Sequence, residues 1–201
     1  MNDDGYVKYQ AQLVKELKLP ESILTTLNEW RTKMFDLKLI GMYPDGIGFG
    51  NISEALNNDF IITATATGGL KDLSAKYYPK VISYNFESNS VEYEGMKEHP
   101  PSSEAMTHAA VYESDPEVRA VIHVHDKNLW DKLLNKVPTT GREVAYGTPE
   151  MAYEVKRLFA ETDVKQTKLI VMAGHEEGVI SFGKTMGEAG RIMLEAYEKF
   201  K

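Results

Sequence analysis

Residues 120–125 read Ala-Val-Ile-His-Val-His. The run is rich in β-branched residues, and a strand sends successive side chains to opposite faces. Ile122 and Val124 therefore share the face that seeks the core, while His123 and His125 project together from the other. Two imidazoles a strand repeat apart can reach one divalent cation, and imidazole is the commonest metal-ligating side chain. A half-buried strand whose polar face carries histidines fits the same pattern. The chain has five histidines in all, and two of them are here.

Outward from this strand the second half alternates helix and strand. Pro100-Pro101 stops the preceding segment, and Ser102 or Ser103 is a natural N-cap for a helix reaching about Ser114. Thr148-Pro149-Glu150 opens another helix with cap and proline in their preferred places. Lys168 to Ala173 and Gly178 to Phe182 are apolar strands, and Gly187 to Phe200 is an amphipathic helix. In the first half, Tyr6 to Leu17 and Glu21 to Leu37 are expected to be helical. The second carries Ile23, Leu24, Leu27, Trp30 and Met34 at helical spacing. A glycine-rich stretch, Gly46 to Ser53, leads to a strand over Phe60 to Thr67. Val81 to Glu87 and Ser90 to Glu94 then form a hairpin about Ser88-Asn89. This order predicts a mixed sheet covered by helices.

At 201 residues a single domain, 1–201, is expected, with a helical segment over about 6–37. A domain of this size buries roughly 70% of its unfolded surface. No linker, low-complexity tract or internal repeat divides it. The formal charge is −7 and no basic block occurs, which argues against nucleic-acid or anionic-membrane partners. With no cysteine, thiolate and disulfide chemistry are excluded, and a metal would need histidine or carboxylate ligands. The acidic start and the lack of any apolar run near the roughly 20 residues of a membrane span predict a cytoplasmic protein.

A third histidine, His175, follows an apolar strand and lies between Gly174 and Gly178. It is either a third ligand beside an open coordination position or an exposed turn residue. Glu104 falls in the first turn of the helix after Ser102-Ser103, where the helix dipole alone explains a carboxylate. The same place suits a general base, and His108 shares its face four residues on. Gly48-Phe49-Gly50-Asn51, Thr65-Ala66-Thr67-Gly68-Gly69 and Ser102-Ser103 each offer an anion backbone N–H groups or hydroxyls, though each is also ordinary turn chemistry. None fits a P-loop or dinucleotide fingerprint. His99, ahead of two prolines, reads as a loop residue.

Taken in order, Gly50-Asn51-Ile52-Ser53, Thr65-Ala66-Thr67-Gly68, Ser102-Ser103-Glu104, His123-Val124-His125 and Gly174-His175 with Glu177-Gly178 resemble the class II aldolase/adducin family. The likeness is greatest to its L-fuculose-1-phosphate aldolase type and covers about residue 30 onward. The resemblance implies a three-layer α/β/α fold assembled as a homotetramer. It implies Zn2+ or another divalent metal on His123, His125 and His175, and phosphate binding by Gly50, Asn51, Thr67, Gly68, Ser102 and Ser103. Glu104 would be the acid/base in retro-aldol cleavage of a phosphorylated keto-sugar through a metal-stabilised enediolate. A sugar-phosphate dehydratase and a non-catalytic adducin-like assembly domain are the alternatives, while glutamate rather than aspartate at 104 disfavours the 4-epimerase branch. In one respect the chain departs from the pattern. Such aldolases carry a proton-donating tyrosine in a longer segment after the His-x-His strand, and residues 126–145 contain no tyrosine. Tyr146 is the nearest candidate, and Tyr197 a distant one.

Overall fold

The computed structural model describes residues 9–200. An eight-stranded sheet runs in the order β1 (Gln10–Glu16), β7 (Ser90–Gly95), β6 (Lys80–Asn85), β5 (Asp59–Ile62), β4 (Asn51–Leu56), β8 (Ala120–His125), β10 (Gly178–Gly183), β9 (Leu169–Val171). Only the β1–β7 pair is parallel. A separate hairpin, β2 (Gly41–Met42) with β3 (Gly48–Phe49), stands beside it. The mixed sheet with helices on both faces is the three-layer α/β/α arrangement expected.

Strand parity sorts the core into its two halves. Ala120, Ile122 and Val124 face a layer of α1 (Thr25–Asp36), α3 (Lys127–Leu133) and α6 (Met186–Phe200). Val121 faces the other layer, built on α2 (Ala105–Ser114), α4 (Pro149–Glu161) and α5 (Val164–Thr167). His123 and His125 share Val121's parity. The sheet is thus covered on both sides, and all six residues of β8 are buried. No helix among the described residues is long and apolar enough to cross a membrane.

Most expected elements form, within a few residues: the hairpin, the Thr148-capped helix, both C-terminal strands and the last helix. The stretch Glu21 to Leu37 folds as a 3-10 turn followed by α1. The helix expected over Tyr6 to Leu17 does not form across Gln10–Glu16, which is strand; residues 6–8 lie outside the described residues. Tyr9, Ala11 and Leu13 recur at period two, and the open edge of β7 satisfies the backbone of this segment. The strand expected over Phe60 to Thr67 pairs regularly only to Ile62, and Ala66 turns the chain with φ 58°. Among the elements not anticipated are β4, hidden in the glycine-rich reading, and α3, capped where Asp126 Oδ1 accepts from Leu129 N at 2.7 Å.

One charge lies deep in this frame. Arg31, on α1, is 1% exposed. Its guanidinium donates to Lys71 O at 2.6 Å and to Thr67 O at 2.8 Å. Burial pulls its pKa down, opposed by Tyr78 and Asp72. An arginine stays charged under such a load, so the carbonyls of the 67–71 loop are what solvate it. Arg31→Met, which keeps an apolar stem without the fork, is expected to cost about 2–4 kcal/mol, since bonds to charged groups are worth roughly 1.5–3 each. The readout is a lower denaturant midpoint at constant slope. Arg31→Lys should recover only part, because an ammonium cannot span both carbonyls. A Met variant as stable as the parent would show that the loop holds itself.

Candidate active site

Register builds the site. On β8, His123 lies opposite Asn51 of β4 and Ile180 of β10, and His125 lies opposite Gly178. The turn after β9 carries His175, held by His175 N to Met172 O at 3.1 Å and Gly178 N to His175 O at 2.9 Å. One ring nitrogen from each histidine lies within 4.8 Å of the others. The Nε2 atoms of His125 and His175 are 3.0 Å apart. The three residues are 1%, 5% and 7% exposed, so His175 is not an exposed turn residue. Gly178 makes the room: a Cβ there would stand 3.1 Å from His123 Nε2 and 2.9 Å from His175 Cδ2.

Burial, and then the neighbouring imidazoles, hold the His123 pKa well below the ordinary histidine value, and burial pushes that of His125 to about 3. Neutral imidazole is the ligating form. His123 Nε2 is buried without a hydrogen-bond partner. A buried, unpartnered ring nitrogen beside two other imidazoles fits a ligand position once it carries the lone pair, and three nitrogen donors with no thiolate suit a zinc-type divalent cation. Asn51 adds to the fit. Its Nδ2 is 3.3 Å from His123 Nδ1, while its Oδ1 is buried without a partner. Turned by half a rotation, the amide would offer Oδ1 to an Nδ1 hydrogen and leave Nε2 with its lone pair.

Glu104 joins the histidines. It is 3% exposed, with Oε1 3.9 Å from His175 Nε2 and Oε2 accepting from Thr107 Oγ1 at 3.0 Å. It stands at the N-cap position of α2 rather than inside the first turn, and its side chain makes no cap bond. Ser102 and Ser103 precede the cap, and Ser102 Oγ accepts from Glu104 N at 3.3 Å. His108 does not pair with Glu104: its Nδ1 lies 2.6 Å from Ser53 Oγ, which is 2.7 Å from the Tyr112 hydroxyl. His99 is in a turn, against Tyr77. Tyr146 stacks on His175 with ring centroids 4.2 Å apart, whereas Tyr197 packs in the opposite layer.

The three anion-friendly segments come together at the same end of the sheet. Gly68 sits against the β3 backbone so closely that a Cβ would meet Gly48 Cα and Phe49 N at 2.9 Å. Ser102 N donates to Thr63 O at 3.1 Å, and Thr65 N to Pro100 O at 3.0 Å. Thr67 Oγ1 donates inward, to Ala64 O at 2.7 Å. Gly50, at φ 74°, leads directly into Asn51. Behind these segments, Arg31 grips Thr67 O, and the buried Tyr9 hydroxyl reaches Pro101 O at 2.6 Å and Ser102 O at 2.8 Å.

A cleft of about 460 Å3 opens over His175, lined among others by Tyr43, Asp45, Tyr146, Glu176 and Glu177. Tyr43 was not among the residues the sequence singled out. Its neighbours Pro44-Asp45-Gly46 mark a turn, which is what folds β2 and β3 over His125. Phe49 of that hairpin stacks on His125 at 5.5 Å. Tyr9, Arg31 and Glu177 as a side chain were also missed.

Residues 45–200 match the family model described as Class II Aldolase and Adducin N-terminal domain. No curated protein matches the chain. Among solved structures, an L-fuculose 1-phosphate aldolase is similar with a TM-score of 0.66, at 17% identity over 90% of this chain and 84% of that one. The L-fuculose-1-phosphate aldolase of Thermus thermophilus gives 0.63, at 18% identity over 88% and 89%. YgbL of Escherichia coli, whose activity is given as a putative aldolase/epimerase/decarboxylase, gives 0.63 at 18% identity over 89% and 86%. At these identities the likeness is one of fold.

The buried His108 carries a pH signature. Burial lowers its pKa to about 3, below an unfolded value of about 6.5. Between those values the unfolded chain binds a proton that the native protein refuses. Stability is therefore complete above about pH 6.5 and falls as the pH drops toward 3, by up to about 1.4 kcal/mol per pH unit from this residue. Denaturant melts of metal-free protein at pH 7, 6 and 5 should show His108→Gln losing stability less steeply than the parent by that slope. Parallel curves would mean His108 protonates in the native state.

Proposed function

The chain belongs to the class II aldolase and adducin N-terminal domain family, and on that premise we propose that it is a metal-dependent lyase cleaving a phosphorylated keto-sugar. The observation that carries the reading is the convergence of His123, His125 and His175 with a Glu104 oxygen 3.9 Å from His175 Nε2. A scaffold has no need of a buried imidazole triad beside a buried carboxylate. That favours catalysis over an assembly role. We take the whole chain, 1–201, to act as one such domain, in the cytoplasm and as a homotetramer.

In this reading His123, His125 and His175 hold Zn2+ or another divalent cation. When bound, it supplies Lewis-acid stabilisation of the negative charge that builds on the substrate's carbonyl and adjacent hydroxyl oxygens. The phosphate lies among Gly50, Asn51, Thr67, Gly68, Ser102 and Ser103. Backbone N–H groups and serine hydroxyls serve it there against the overall negative charge. As the carbon–carbon bond breaks, the hydroxyl proton of the departing half passes to the Glu104 carboxylate and an aldehyde leaves. Glu104 delivers a proton to the carbon left behind, giving dihydroxyacetone phosphate. Tyr146 and Tyr43 line the cleft over His175, where their hydroxyls can hydrogen-bond the departing half. A second reading follows from the tyrosine-free segment 126–145. Glu104 would remove a carbon-bound proton and the neighbouring hydroxyl would leave as water, making the protein a dehydratase.

Two measurements test this. Metal-loaded protein incubated with pentose, hexose and methylthio-substituted ketose 1-phosphates should release dihydroxyacetone phosphate. Loss of water without cleavage would select the dehydratase, and no turnover on any of them would sink both. Glu104→Gln should keep its metal and lose about 10²–10⁴-fold in kcat, the usual weight of a general acid–base group. Loss of the metal as well would remove the assigned role of Glu104. Protein that takes up under about a tenth of an equivalent of zinc would favour the scaffold alternative, since a three-histidine site holds zinc well.

A further inference from the structure

Glu177 has a backbone that few glutamates adopt. Its φ is 71°, in the left-handed region where a side chain collides with its own backbone and glycine is the usual occupant. Gly178 follows immediately, so a glycine at the strained position itself would have eased the turn. Strain of this sort persists where the surrounding structure over-determines it, and it clusters at functional sites. The side chain shows what the position secures. Glu177 Oε2 accepts from the Tyr43 hydroxyl at 2.6 Å, and the Tyr43 oxygen lies 2.8 Å from His125 Nδ1.

The proton count along this line has one solution. A carboxylate only accepts, so the single hydroxyl hydrogen of Tyr43 points to Glu177. The Tyr43 oxygen then meets Nδ1 with a lone pair, and Nδ1 must carry a hydrogen. An imidazole with one hydrogen on Nδ1 has its lone pair on Nε2. For His125 that is the atom 3.0 Å from His175 Nε2, facing the centre of the cluster. Phe49, stacked on the ring at 5.5 Å, fixes its plane.

We propose that Tyr43 and Glu177 are positioning residues that hold His125 in the Nδ1–H tautomer and so present its Nε2 lone pair to a divalent cation. Ligating histidines commonly hand their second N–H to a carboxylate; here a phenol from the β2–β3 turn relays it. The inference rests on the metal-site reading above. It reaches further, because it makes a residue outside the ligand set and an otherwise costly backbone part of the same device.

The test has two independent arms. In metal-free protein, imidazole 15N shifts should show His125 protonated at Nδ1, and Tyr43→Phe should shift it toward a mixture of tautomers. In chelator competition with Zn2+, Tyr43→Phe and Glu177→Gly should each lose about 10–100-fold in affinity, while Glu177→Gln, which still accepts from Tyr43, should stay within a few-fold of the parent. Glu177→Gly suits the backbone, so its thermal midpoint without metal should equal or exceed that of the parent. A merely structural glutamate would show the reverse: a lower midpoint and unchanged affinity. His125 protonated at Nε2 in the metal-free parent, or zinc affinities within twofold across the series, would overturn the proposal. A parent that takes up no zinc would overturn the metal reading instead, leaving the tautomer measurement to decide this one.

Discussion

Three imidazoles crowded into a dry interior need something to do with their lone pairs, and much of this molecule can be understood as the means of forcing that crowding. A buried nitrogen left unpaired costs about 1–3 kcal/mol, and His123 Nε2 is such an atom. Two histidines come from β8, the strand enclosed by β4 and β10 and covered on both faces. The third comes from a turn bonded to the backbone on either side. Groups on a rigid, doubly covered strand hold their positions better than groups on a free loop.

The same economy governs the loops around the triad. At the Thr67 and Ser102 loops the side chains are small, and the long reaches are made by buried residues, Arg31 toward Thr67 and Tyr9 toward Pro101 and Ser102. Backbone carbonyls are drawn inward by these donors. On the proposed reading, a chain of formal charge −7 would bind its anion there through backbone and hydroxyl groups.

What was legible in the sequence was what depends on short-range periodicity. His123 and His125 could be paired because a strand repeats every two residues, and the Thr148 helix start is pure local chemistry. His175 stood out by following an apolar strand. The residues that escaped act across long separations: Tyr43 meets His125 and Glu177 at 82 and 134 residues apart, and Arg31 sits on an ordinary-looking amphipathic helix. The pairing of Glu104 with His108 failed for a related reason. Helical spacing puts both on one side of α2, but Ser53 of β4, itself bonded to Tyr112, takes the histidine. For β1, alternation at Tyr9, Ala11 and Leu13 was present but outweighed by helix-forming residues, and only the free edge of β7 tips the balance.

That edge strand also bears on the order in which the protein assembles. The β6–β7 hairpin closes over a few residues, with Asn85 paired to Ser90. By contrast, β1 pairs Gln10 with Ser90, a loop of roughly 80 residues whose closure entropy must be met before any contact rewards it. Tyr9, at the head of β1, is what pins Pro101 and Ser102. The strand translated early is thus among the late arrivals. The Ser102 loop gains its bonds to Tyr9 only when that strand docks, so the other seven strands can be paired while the loop beside Glu104 still lacks them.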